Sequence, residues 1–192
     1  MLGRLREKYQ KAMYPIGKAI GTTRISPDIL SLLSVVVAGL GGWFFFSRSL
    51  LWGTIFIALS GAIDMIDGAV ARATGKASSF GTMLDHVLDR YAEFLMICGV
   101  IAGGYVRWYW GAFSLFGMVM ASYARAKAES VGVEHCTVGI AERQEKLIIL
   151  MVGAIGAIFY QGALEFASIL VGLLSHVTVV QRLNYARCKL RR

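Results

Sequence analysis

The chain has 192 residues, of which 56% are hydrophobic and 17% charged, with a mean hydropathy of +0.59. A soluble domain of ordinary composition is far less apolar, so the expectation is a membrane protein. The net charge of +8 does not mark a nucleic-acid binder, because the basic residues are grouped between apolar stretches.

Residues 4–20 place Leu5, Tyr9, Ala12, Met13, Ile16 and Ile20 at helical spacing with basic residues between them. This pattern predicts an amphipathic juxtamembrane helix on the cytoplasmic surface. No apolar signal-peptide core precedes it in the sequence given. Ser26-Pro27 reads as an N-cap followed by proline at the first helical position. Apolar stretches then fall near 28–48, 50–66, 88–106, 108–124, 146–162 and 163–181. Each approaches the roughly 20 residues a bilayer span requires. The expected fold is an all-α integral membrane bundle of six transmembrane helices, one domain over 1–192, with a surface helix in 1–24 and the bundle in 25–192.

Arg4, Arg6, Lys8, Lys11, Lys18 and Arg24 precede the first stretch; Arg72 and Lys76 lie between the second and third. Arg125, Lys127, Arg143 and Lys146 lie between the fourth and fifth, and Arg182, Arg187, Lys189, Arg191 and Arg192 close the chain. Only Arg48 and Arg107 fall in the alternate connections. That asymmetry predicts a multi-pass cell-membrane protein with both termini in the cytoplasm, its basic face held near anionic lipid. Cys98, Cys136 and Cys188 are scattered and read as incidental thiols. Gly99 with Gly103, and the run Gly153, Ala154, Gly156 and Ala157, are small-residue faces for packing within the bundle or between subunits.

Two pairs of aspartates stand out against this background: Asp64 with Asp67 at i and i+3, and Asp85 with Asp89 at i and i+4. On two helices each pair projects from one face. Carboxylates at membrane depth are costly and mark a functional site by default. Converging acids of one sign need cations among them, and hard oxygen ligands select Mg²⁺, Mn²⁺ or Ca²⁺ over zinc. A divalent-metal site with two ions is expected.

Written out, the segment is D-x2-D-G-x2-A-R-x8-G-x3-D-x3-D, filled by Asp64, Asp67, Gly68, Ala71, Arg72, Gly81, Asp85 and Asp89. It resembles the signature of the CDP-alcohol phosphotransferases, six-helix membrane enzymes that transfer a phosphatidyl-type group from a CDP-linked lipid to an alcohol and release CMP. The resemblance implies that Asp64 and Asp85 touch both ions, that Asp67 binds one, and that Asp89 reaches the second and accepts the proton of the incoming hydroxyl. It also implies a CDP-lipid site with Gly68 under the cytidine, Arg72 and Ser78 near the pyrophosphate, Ala71 and Gly81 in the motif, and a wall from Pro27, Asp28, Ile29 and Leu30. Many relatives carry Asn where Asp28 stands. His86 occupies a free motif position and reads as structural. A homodimer is a further implication of the resemblance.

Arg125, Lys127, Arg143 and Arg182 form a second cationic group around the fourth to sixth helices. Arginine forks suit phosphate, so a phosphate-bearing acceptor is expected. This pattern resembles the branch with inositol 1-phosphate as acceptor, whose products are phosphatidylinositol phosphate in bacteria and archaetidylinositol phosphate in archaea. The donor would be CDP-diacylglycerol or CDP-archaeol, with the archaeal version favoured. The bacterial members usually read Lys-Ala-Arg-Ala-Glu, whereas this chain has Arg125-Ala126-Lys127-Ala128-Glu129. Glycerol 3-phosphate is the main competing acceptor and serine a weaker one. A membrane cation transporter would account for the acids, but not for Gly68, Ala71, Arg72 and Gly81 at fixed offsets.

Overall fold

The computed structural model describes residues 15, 17–20, 26–134 and 136–191. Most of the expected surface helix over 4–20 lies outside the described residues; 15 and 17–20 are helical. Gly17 is buried there, and a Cβ on it would fall on the backbone of Ala69.

Six long helices follow among the described residues: α1 Pro27–Phe46, α2 Leu50–Ala73, α3 Ser79–Ala102, α4 Trp108–Ser130, α5 Arg143–Gly156 and α6 Ala163–Leu190. Every element of regular structure among the described residues is helical, as expected. Three of the helices, α1, α2 and α6, are long and apolar enough to cross a membrane. The third and fourth, of 24 and 23 residues, are as long but carry charged side chains towards one end. By contrast α5 has only 14 residues, about 21 Å at 1.5 Å per residue.

Local chemistry accounts for the ends. Ser26 caps α1 through its carbonyl, which accepts from the amides of Ile29 and Leu30, while Pro27 takes the first helical position. Ser78 caps α3 with its side chain, its Oγ accepting the Gly81 amide at 2.9 Å. Gly75 leaves α2 at a φ of 67°, a left-handed conformation that glycine adopts without strain.

In a lipid phase, helix association rests on close packing, since tails and side chains are equally apolar. Helix α1 packs against both α2 and α3, α4 against α6, and α5 against α6 and α2. The first small-residue face lies within the chain: a Cβ on Gly99 would fall on the Gly42 backbone, and one on Gly103 on the Phe45 carbonyl. Similarly, Gly153 faces Ala167, and Gly156 faces Ala163, across the α5–α6 hairpin. Outside this core, Leu32, Val36 and Trp43 of α1 are 56%, 55% and 61% exposed, an apolar stripe that suits lipid and not water.

The connections holding Arg48 and Arg107 gather at one end with Glu165 in the first turn of α6. The Arg107 guanidinium pairs with the Glu165 carboxylate through Nε at 2.9 Å and Nη2 at 2.7 Å. A Cβ on Gly104 would lie 4.0 Å from Arg48 Nη2. The aspartates lie towards the opposite end.

Gly99→Leu is expected to drive α1 and α3 apart. Overpacking costs about 1–3 kcal/mol, so the detergent-solubilised protein should lose several degrees of Tm. Gly61 faces open space, and Gly61→Ala should lower Tm little or raise it.

Candidate active site

Helix α2 carries Asp64 and Asp67, and α3 carries Asp85 and Asp89. Carboxylate oxygens of Asp64, Asp67 and Asp85 all lie within 4.8 Å of one another. Asp67 and Asp89 are only 5% and 8% exposed. This proximity needs support from neighbouring elements, because three like charges repel strongly at such range.

Helix α1 supplies the first support. Ser31 donates its hydroxyl hydrogen to Asp67 Oδ2 at 2.6 Å. One turn on, the Ser60 hydroxyl donates to the Ser34 carbonyl at 2.7 Å, which ties α2 to α1 beneath the acids. The second support is Arg143, the first residue of α5. Its Nη1 donates to Asp64 Oδ2 at 2.6 Å, and Nη2 lies 2.8 Å from Asp89 Oδ1. A single guanidinium therefore bridges the two acidic helices. Its Nε is 3.7 Å from Glu93 Oε1.

The motif's remaining residues surround the acids. A Cβ on Gly68 would meet Arg72 Nη1 at 3.2 Å, so the guanidinium folds back over the bare backbone there. One on Gly81 would lie 3.3 Å from Asp28 Oδ1, so the start of α1 abuts the start of α3. Pro27, Asp28, Ile29 and Ser78 border this end, and of that wall Leu30 turns inward. Ala71 is half-buried on α2, and His86 is exposed.

The four cations expected to hold a phosphate are distributed differently from one another. Arg143 sits among the carboxylates. Arg182 is buried, its Nε donating to the Val138 carbonyl at 3.0 Å and its Nη1 to the Ala121 carbonyl. Arg125 is half-buried and pairs with Glu129 at 3.0 Å, and Lys127 is exposed.

Four residues missed by sequence reasoning join the site: Ser31, Arg90, Glu93 and Lys146. Arg90 pairs with Glu93 Oε1 at 2.8 Å and donates to Ser122 Oγ on α4 at 2.6 Å. Lys146, also buried, is within electrostatic reach of Glu93, Arg182 and Arg90. A signal for Glu93 was present, since it continues the Asp85–Asp89 spacing by four residues. Ser31 carried none, because one serine among several on an apolar helix has no distinguishing pattern.

The sequence profile of the CDP-alcohol phosphatidyltransferase family matches residues 24–180. An archaetidylinositol phosphate synthase of Pyrococcus horikoshii is 34% identical over 190 residues, covering 99% of this chain and 98% of that protein. Another from Methanothermobacter thermautotrophicus is 37% identical over 186 residues, covering 96% and 93%. Among solved structures, the phosphatidylinositol phosphate synthase of Mycobacterium tuberculosis with CDP-DAG bound superposes with a TM-score of 0.81 at 27% identity, covering 92% of this chain and 94% of that one. A second structure of that enzyme, with manganese and citrate, gives a TM-score of 0.82 at 27% identity, covering 91% and 88%. The fold and the acidic site define a membrane-embedded transferase. The chain belongs to the CDP-alcohol phosphatidyltransferase family, and the transporter reading gives way to an enzyme.

Replacing Arg143 by Met should leave Asp64, Asp89 and Glu93 short of a counter-charge. Breaking a buried pair costs about 3–5 kcal/mol, so a large drop in Tm is expected in chelator-treated detergent solution. Asp64→Asn in that background should restore part of it.

Proposed function

We propose that this chain transfers the phosphatidyl or archaetidyl group of a CDP-linked lipid to inositol 1-phosphate, with release of CMP, in phospholipid biosynthesis. The observation that carries this reading is the meeting of the signature carboxylates of α2 and α3 with Arg143 of α5 at one end of the bundle. The relatives named as archaetidylinositol phosphate synthases, aligned over nearly the whole chain, support the acceptor.

The donor set fits a divalent metal: oxygens of three carboxylates share one small volume, with no thiol among them. We assign Asp64, Asp67, Asp85 and Asp89 as ligands of two ions, Mg²⁺ or Mn²⁺. When bound, such ions offset the negative charge of the pyrophosphate and of departing CMP. The chain's own residues do the rest. Gly68 lets the nucleotide lie against the α2 backbone, Arg72 reaches its phosphates, and Ser78, Gly81 and residues Pro27 to Leu30 close the other side, with Ala71 keeping the helix face narrow. Asp89 takes the proton of the acceptor hydroxyl; the new oxygen–phosphorus bond forms as the bond to CMP breaks. Arg143 and Arg182, with Arg125 and Lys127 nearer the surface, receive the acceptor phosphate.

All six helices span the cell membrane in this reading, the short α5 from within the bundle, with the site and both termini cytoplasmic. The protein acts as a homodimer. Its seam lies away from the Gly99–Gly103 and Gly153–Gly156 faces, which are used within the chain.

Purified protein with CDP-lipid and Mg²⁺ or Mn²⁺ should release CMP with inositol 1-phosphate, far faster than with glycerol 3-phosphate, free inositol or serine. Equal use of free inositol or serine would refute the phosphate pocket. Asp64→Asn or Asp85→Asn should retain no more than a few per cent of that activity. Asp89→Asn should be inactive yet still bind CDP-lipid.

Ser31→Ala removes the hydrogen bond to Asp67 without touching a proposed ligand. Loss of such an outer partner weakens metal affinity about ten- to hundred-fold. The Mn²⁺ midpoint for CMP release should rise accordingly, with Tm little changed.

A further inference from the structure

Glu93 lies one helical turn beyond Asp89 on α3 and is 2% exposed. A fully buried carboxylate outside the motif, at this depth, requires an explanation. Its Oε1 takes the Arg90 guanidinium at 2.8 Å and lies 3.7 Å from Arg143 Nε. Its Oε2 has no hydrogen-bond partner among the described residues. Lys146, one turn along α5 from Arg143, is buried within electrostatic reach of it. Glu93 and Arg143 also line one small cavity with Ser60, Gly61 and Leu147, directly beneath the aspartates.

Arg143 therefore meets carboxylates on both edges, by close contacts on one and by a longer ion pair on the other, where its Nε has no hydrogen-bond partner among the described residues. Its two Nη groups face Asp64 and Asp89, and its Nε edge faces Glu93. A buried anion beside one edge of a planar fork favours the orientation that turns this edge towards it. A fork without that anion is free to rotate, and its loss leaves half-buried Arg90 and buried Lys146 with less counter-charge. We propose that Glu93 is a positioning residue for the acceptor: through Arg143 it orients the cationic group that takes the acceptor phosphate, and it touches neither substrate itself. This rests on the acceptor reading above only in taking Arg143 as a phosphate ligand.

The test is a double-mutant cycle on the full-length enzyme in detergent micelles, using whichever phosphorylated acceptor the parent turns over fastest. Identification of that acceptor tests the inositol 1-phosphate assignment; the cycle tests Glu93, so the two can fail separately. Glu93→Gln, which keeps volume and removes charge, is expected to raise the acceptor KM about ten-fold while the CDP-lipid KM stays within two-fold. Glu93→Asp should recover part of that rise. In an Arg143→Gln background, Glu93→Gln should add little further increase. An unchanged acceptor KM, equal rises for both substrates, or full additivity with Arg143→Gln would each overturn the proposal. Should Glu93→Gln not fold, Glu93→Asp carries the same comparison, with a smaller rise expected in the acceptor KM alone and the same loss of effect when Arg143 is Gln.

Discussion

The constraint on which the rest of this structure depends is the mutual repulsion of carboxylates gathered where two helices meet. Asp64, Asp67 and Asp85 bring oxygens within 4.8 Å of one another, and Asp89 and Glu93 continue the acidic face into the bundle. At an effective dielectric constant of about 20, two like charges 4 Å apart cost roughly 4 kcal/mol. The fold counters this with cations from outside the pair of acidic helices. Arg143 enters from α5 and reaches both, with bonds of 2.6 Å to Asp64 and 2.8 Å to Asp89. Its placement explains why α5 is short: the helix begins at the acids, and Gly156 ends it after 14 residues.

Close packing supplies the other half of the arrangement. The acids keep their spacing only if α1 holds α2 and α3 at fixed distance, because α1 packs against both. Gly42 against Gly99, and Phe45 against Gly103, bring the α1 and α3 backbones together far from the site. At the site end the same helix offers Ser31 to Asp67 and Asp28 to the turn at Gly81. Small residues at one end and hydroxyls at the other thus serve one purpose.

Much of this was legible in the sequence, and the limits have physical causes. The helical class, the caps at Ser26-Pro27 and the eight-residue signature can be read directly, since each depends on local spacing. The glycine faces were visible too, but whether Gly99 and Gly103 pack inside the chain depends on where Gly42 and Phe45 lie, which spacing does not reveal. Arg143 read as one of four equivalent cations, whereas in the fold it alone of the four bridges the acids; a contact between residues 79 positions apart has no local signature. Lys146 was hidden for the opposite reason. In sequence it belongs to an ordinary basic group, and only the inward turn of α5 buries it to 5% exposure.

The cations also join two parts of the molecule with different duties. Helices α2 and α3 carry the signature with α1 packed on both, while α4 packs chiefly against α6. Few charged contacts cross between them, and Arg90 makes one: it rises from the acidic helix, takes Glu93 at 2.8 Å, and donates to Ser122 of α4 at 2.6 Å. Lys146 is buried within electrostatic reach of Glu93, which attracts it, and of Arg182 on α6, which repels it. Arg182 in turn donates to carbonyls at Ala121 on α4 and Val138 in the following loop. Glu93 thus stands between the contact that Arg90 makes with α4 and the Arg143 guanidinium, 3.7 Å from its Nε. Side chains that are buried or half-buried, Glu93 and Arg182 of the first kind and Arg90 and Arg143 of the second, tie the acidic helices to α4, α5 and α6 with charge-assisted contacts.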